Sequence, residues 1–269
     1  MTRDGGGTAM ALSDAQREFW NDNGYLAVEN VLQPAEVEEL RRALDRLTMR
    51  AEGLTESTDR FKLQAFGDDG GGTLIQQIAE PHELAPEWMA LARDARILDP
   101  IEDLLGPNIL LYYSMLMMKP PRQGFRAPWH QDFAFFVHDR AALVAVQLYL
   151  DDSTLENGCI HVVPGSHKLG LLNHFRDGRF TEIVEGDTTV FDEKQVAVPL
   201  GAGGMALWHC LTLHSSPPNL SQHPRRAIVF EYKDPSARLL GGSFSPNEVR
   251  PAGLMVRGHD PSGALLSAI

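Results

Sequence analysis

Cysteine is nearly absent from this chain: 269 residues contain two, Cys159 and Cys210, each inside an apolar run. That leaves no disulfide framework and suits two buried thiols in a reducing compartment, with a single disulfide as the lesser alternative. Basic residues are scarce too, Lys plus Arg totalling 24 against 36 for Asp plus Glu, a formal charge of −12. Nucleic acids and anionic membranes select basic patches, so neither is an expected partner. The densest basic pairs, Arg41-Arg42 and Arg225-Arg226, are too short to form one. No stretch approaches the ~20 apolar residues of a membrane span. The opening MTRDGGGTAM has no apolar h-region, so a cytoplasmic location is the expectation.

What is present is ordinary globular composition, 43% hydrophobic and 22% charged. The Gly-rich residues 1–11 read as a disordered leader ahead of one domain over 12–269. Helical signals come first. Ser13 and Gln16 stand at capping-box spacing, Phe19 and Trp20 follow on one face, and Asn23-Gly24 closes the helix. Tyr25-Leu26-Ala27-Val28 reads as a short strand. Pro34 opens a second helix, with Val37, Leu40, Leu44 and Leu47 at helical spacing. Residues 51–73 read as polar loop, mobile at 68–72, and 84–105 as a helix with Leu91, Ile97, Ile101 and Leu104 inward.

Past Gly106-Pro107 the pattern changes to short β-type runs at 109–118, 144–150, 160–163, 196–200, 205–213 and 227–232. Such strands, divided by Gly, Pro, Asn and Asp, indicate a sandwich or barrel. The expected architecture is an all-β core with helical buttresses, a double-stranded β-helix of jelly-roll, cupin-like type. Helices fall mainly in 13–105, the jelly-roll core in about 108–235, and a C-terminal tail in 236–269.

Pro128-Trp129-His130-Gln131-Asp132 places an imidazole and a carboxylate two residues apart, hence on one face of an extended strand. A second His from a distant strand completes a three-ligand face. Two His and one carboxylate leave open the positions that an Fe(II) oxygenase needs for a bidentate keto acid and O₂. Downstream, His214 is followed eleven residues later by Arg225, whose planar fork suits the far carboxylate of such an acid.

These residues resemble a known family, the phytanoyl-CoA dioxygenase family of Fe(II)/2-oxoglutarate oxygenases. The likeness is carried by Met115-Leu116-Met117-Met118-Lys119-Pro120-Pro121, His130-Gln131-Asp132, Glu156-Asn157-Gly158-Cys159, Pro164-Gly165-Ser166-His167-Lys168 and the His214 to Arg225 block. The opening pattern of helix, Asn-Gly-Tyr, strand and helix adds to it. The resemblance implies His130, Asp132 and His214 as iron ligands and Arg225 as partner of the 2-oxoglutarate 5-carboxylate. It implies Met115, Gln147 and Ser216 in the co-substrate pocket, with Gln147 where a Trp is common. It also implies oxidation of an unactivated C–H bond, by default hydroxylation, with release of succinate and CO₂. With no basic patch for the phosphates of coenzyme A, a small organic metabolite is the expected substrate, and a monomer or homodimer the expected state.

Rival assignments are open to test. His209 competes with His214, but lies on the same predicted run facing the other way, and the spacing to Arg225 selects His214. Arg226 competes with Arg225 and, as its strand neighbour, faces oppositely. His167 and Ser166 read as holding backbone in a turn, His138, His174, His223 and His259 as exposed, and Phe133, Phe135 and Phe136 as chiefly core. No Glu stands out as the general base that a metal-dependent hydrolase needs. A non-catalytic cupin-like metal-binding or sensor protein is the third reading. Residues 51–80, 169–195 and the tail after Ser236 are the expected substrate-facing segments, the first two as mobile lids.

Overall fold

The computed structural model describes residues 10–65, 73–122, 125–241 and 253–261, so most of the expected leader and the 68–72 loop lie outside the described residues. Packing begins before the expected boundary at residue 12: the Met10 N–H donates to Asp99 Oδ2 at 3.2 Å.

The helix Asp14–Asn23 starts on the reciprocal Ser13/Gln16 capping box. It ends at Gly24, in left-handed backbone with φ 76°. A Cβ there would collide with the His167 ring and the Thr212 hydroxyl, so only glycine fits. The helix Pro34–Met49 buries Val37, Leu40, Leu44 and Leu47, the stripe its spacing predicts. The single helix expected over 84–105 is instead three short ones, Pro81–Leu84, Pro86–Ala92 and Ala95–Leu105. Each break has a local cause. Pro86 opens its own turn, and Asp94 caps the next by accepting from Arg96 N at 2.8 Å. The loop expected at 51–73 contains the strand Phe61–Ala65, paired to Thr73–Ala79.

An eight-stranded antiparallel sheet forms the frame. Its order is Tyr25–Val28, Met205–His209, Leu143–Tyr149, Arg225–Lys233, Ile109–Lys119, Thr73–Ala79 and Phe61–Ala65. The tail returns to it as Leu254–Arg257 along Ile109–Lys119. A four-stranded sheet, Val196–Val198, Ile160–Val162, His214–Ser216 and Ala127–His130, packs across one face. The layers alternate with period two. Val144, Val146, Leu148, Ile228 and Phe230 meet the helices in the main core, while Ala145, Tyr149 and Ala227 meet Ile160 and Val162 of the small sheet. This is the expected jelly roll with helical buttresses. Among the described residues no helix is long and apolar enough to cross a membrane.

Candidate metal centre

His130 ends the strand Ala127–His130, and His214 opens the strand His214–Ser216 directly opposite it. Asp132 does not continue the strand as expected; it begins the 3-10 turn Asp132–Ala134, which swings its carboxylate back beside both imidazoles. The residue between them makes that turn possible. Gln131 is fully buried, and its amide donates to Gly170 O and Leu211 O at 2.9 and 2.7 Å and accepts from Leu172 N at 2.8 Å. Its own N–H donates to His174 Nε2 at 3.2 Å.

Both imidazoles are pre-oriented. His130 Nδ1 lies 2.8 Å from Pro128 O and His214 Nδ1 3.0 Å from Thr212 O, so each Nδ1–H donates to backbone and each Nε2 presents a lone pair. Asp132 Oδ2 accepts from the Trp208 indole N–H at 2.6 Å, which leaves Oδ1 inward. Oδ1 then stands 3.4 Å from His214 Nε2 and 3.9 Å from His130 Nε2. The three donor atoms lie within 4.8 Å of one another. Donors at ~2.1 Å from a common ion would sit ~3 Å apart when cis, so a small contraction seats one. Burial and the neighbouring His214 hold the His130 pKa well below its ordinary value, favouring the neutral imidazole a metal requires.

The same cavity is lined by Met115, Gln147, Ser216 and Arg225, all of which the sequence pattern selects. Arg225 is buried, and its Nε has no hydrogen-bond partner. Burial lowers its pKa below the usual guanidinium value. Arg226 faces the helices, where Asp151 accepts from its Nε and Nη2 at 2.8 and 2.9 Å. The guanidinium with its unpartnered Nε and the three convergent donors fit a metal-chelated dicarboxylate.

His209 is not in the cluster. It ends its own strand, and a turn separates it from His214 on the other sheet, so the expected single run over 205–213 is broken. Burial and then His167 lower its pKa to about 4. The His167 turn does hold backbone, Ser166 Oγ accepting from Leu213 N at 2.9 Å. Contrary to expectation, His138 and His174 are buried, 3% and 1% exposed. Cys159 and Cys210 are buried and unpaired.

Several groups in and beside the cavity escaped the sequence reading. Trp208 has no motif around it. Lys119 is fully buried, with its Nζ on Ser216 Oγ at 2.7 Å and Ser216 O at 3.2 Å, and burial lowers its pKa to about 6. Glu231 places a carboxyl in the cavity where none was expected. A larger groove of about 430 Å³, lined by Thr48, Leu54, Leu63, Met118 and Arg226, opens on the helical side and holds no convergent donor set.

Comparison with known proteins bears on this geometry. The family model described as phytanoyl-CoA dioxygenase matches residues 20–227. A Stutzerimonas stutzeri protein named as a probable alpha-ketoglutarate-dependent hypophosphite dioxygenase is 29% identical, over 92% of this chain and 87% of its own. The human peroxisomal phytanoyl-CoA dioxygenase is also 29% identical, over 81% of this chain and 67% of its own. Among solved structures, EctD from Sphingopyxis alaskensis with 2-oxoglutarate and 5-hydroxyectoine superposes with a TM-score of 0.72 at 26% identity, covering 95% of this chain and 88% of that one.

Proposed function

The chain belongs to the phytanoyl-CoA dioxygenase family, and from that premise we propose that it is an Fe(II)- and 2-oxoglutarate-dependent oxygenase hydroxylating an unactivated C–H bond of a small organic molecule. The observation that carries this reading is the presence, in one cavity, of three convergent metal donors and a buried guanidinium whose Nε has no hydrogen-bond partner. His130, Asp132 and His214 would hold the iron. Arg225 would hold the far carboxylate of 2-oxoglutarate, beside Ser216, Gln147 and Met115. When bound, iron with 2-oxoglutarate and O₂ supplies a C–H oxidation coupled to formation of succinate and CO₂. The protein orients the ligands through Trp208 and the two backbone carbonyls, and Met115, Met117, Ile160 and Val229 keep the cavity wall apolar.

The relatives' names span hypophosphite, phytanoyl-CoA and hydroxyectoine, so family membership selects cofactors and not the substrate. The acidic chain, with no basic cluster in its sequence, suits a small molecule better than a coenzyme A ester. Glu231 supplies a carboxyl of the kind a hydrolase would use, but hydrolysis leaves Arg225 without a task. Succinate production with Fe(II), 2-oxoglutarate and ascorbate across a metabolite panel tests the reading. Iron-dependent succinate release is expected, and its absence under every condition would remove the proposal.

A further inference from the structure

The cavity is polarised along one strand. Arg225, Ala227, Val229 and Glu231 alternate onto its inner face, and six residues at ~3.3 Å each separate the two charged ends by roughly 20 Å. Arg225 makes that end basic, and Lys119, opposite it on the neighbouring strand, holds Ser216 of the same cavity. The other end is acidic. Glu231 is 1% exposed, lines the cavity with Asp132, and its Oε2 has no hydrogen-bond partner.

Strand register locates this carboxyl relative to the metal centre. Ala145 pairs with Trp208 on one side and with Glu231 on the other, so the three form one row across the sheet. Trp208 is the residue whose indole holds Asp132. The metal cluster therefore lies at the level of Glu231 rather than of Arg225. Ala145 is too small to fill the gap between the indole and the carboxyl, and both line the cavity. A buried carboxyl without a partner is costly and uncommon in a folded chain. No cap, turn or ion pair among the described residues accounts for it.

We infer that Glu231 is the substrate-docking residue of this cavity, and that the substrate presents to it a protonated amine. The far carboxylate of the co-substrate takes the basic end, and its chelating end would lie at the metal. A carboxylate of the substrate at the other end would oppose Glu231, whereas an ammonium would give its Oε2 the partner that it lacks. Trp208 adds aromatic surface of the sort that attracts a cation. The identity of the bound molecule as substrate rests on the proposed oxygenase function; the binding preference does not.

The test is isothermal titration with n-hexylamine, 1-hexanol and hexanoate, on metal-free protein and on protein loaded with Ni(II) and 2-oxoglutarate. The amine should bind at least about tenfold tighter than the alcohol, equivalent to ~1.4 kcal/mol, with hexanoate weakest. Glu231→Gln should abolish that preference and leave metal and 2-oxoglutarate affinities unchanged. Glu231→Leu should raise Tm by about 2–4 °C, because a carboxyl kept for a ligand burdens the empty protein. Equal binding of amine and alcohol to the wild type, a preference retained in Glu231→Gln, or a fall in Tm or metal affinity on substitution would each overturn the inference. Failure of wild-type protein to bind Ni(II) or 2-oxoglutarate would count against the oxygenase function alone, since the amine preference is read on metal-free protein too.

Discussion

The two faces of the strand Arg225–Lys233 show how one segment serves stability and chemistry at once. On the helical face, Arg226 is ion-paired to Asp151, Ile228 and Phe230 are in the core, and the Tyr232 hydroxyl donates to Ala92 O at 2.9 Å. On the cavity face, Arg225 and Glu231 are as deeply buried, yet Arg225 Nε and Glu231 Oε2 lack partners. Adjacent residues of one strand thus have opposite energetics. The satisfied face holds the fold together, and the unsatisfied face is the one that the proposed function assigns to ligands, at a cost in stability.

The largest effects break the cavity face at its metal donors. His130→Ala, Asp132→Ala or His214→Ala should each weaken Fe(II) binding by more than the ~100-fold typical of losing a supporting group, measured by anaerobic titration. His209→Ala should leave it intact; metal loss in His209→Ala with retention in His214→Ala would invert the assignment. Next comes the pair at the head of the strand. Arg225→Ala removes a buried partner of a carboxylate, ~2–5 kcal/mol by analogy with buried charge pairs, or about thirty- to several-thousand-fold in 2-oxoglutarate KM. Lys at 225 should rescue only part, since a point charge cannot reproduce the fork. Arg226→Ala should leave that KM alone and cost about 1 kcal/mol of stability through Asp151. Equal KM effects in the two variants would erase the contrast.

Smaller effects sharpen it. Trp208→Phe keeps the ring but releases Asp132 Oδ2, and should lower metal affinity about 10- to 100-fold with the fold unchanged by circular dichroism. Lys119 provides a pH test. Its folded-state pKa, about 6, lies below its ordinary value because of burial. Between those values the unfolded chain holds a proton that the folded chain lacks, so stability rises with pH through that window and the penalty is fullest below about 6. Lys119→Met should flatten the Tm-versus-pH profile there, by at most ~1.4 kcal/mol per pH unit. An unchanged profile would mean the ammonium stays charged in the fold.

Much of this molecule is written locally. The Ser13/Gln16 cap, the Val37-Leu40-Leu44-Leu47 stripe and the run from Ile109 all produced the elements their spacing predicts. Where local rules compete, the reading failed. Pro86 and Asp94 restarted a helix that apolar spacing made continuous, and a turn cut the run containing His209 and His214. His174 and His138 read as exposed polar residues, but each packs on a distant segment, His138 against the Tyr112 ring and His174 accepting from Gln131 N.

By itself the sequence determined the donor types, their order and the alternation that turns Arg225 and Arg226 to opposite faces, because residue chemistry and a strand's period of two need no tertiary contact. Only the tertiary structure decided that Asp132 reaches the imidazoles from a turn rather than a strand, that Trp208 orients it, and that Arg225 and Glu231 share one cavity. Those facts depend on sheet register and on burial by segments distant in sequence, and neither is carried by any local pattern.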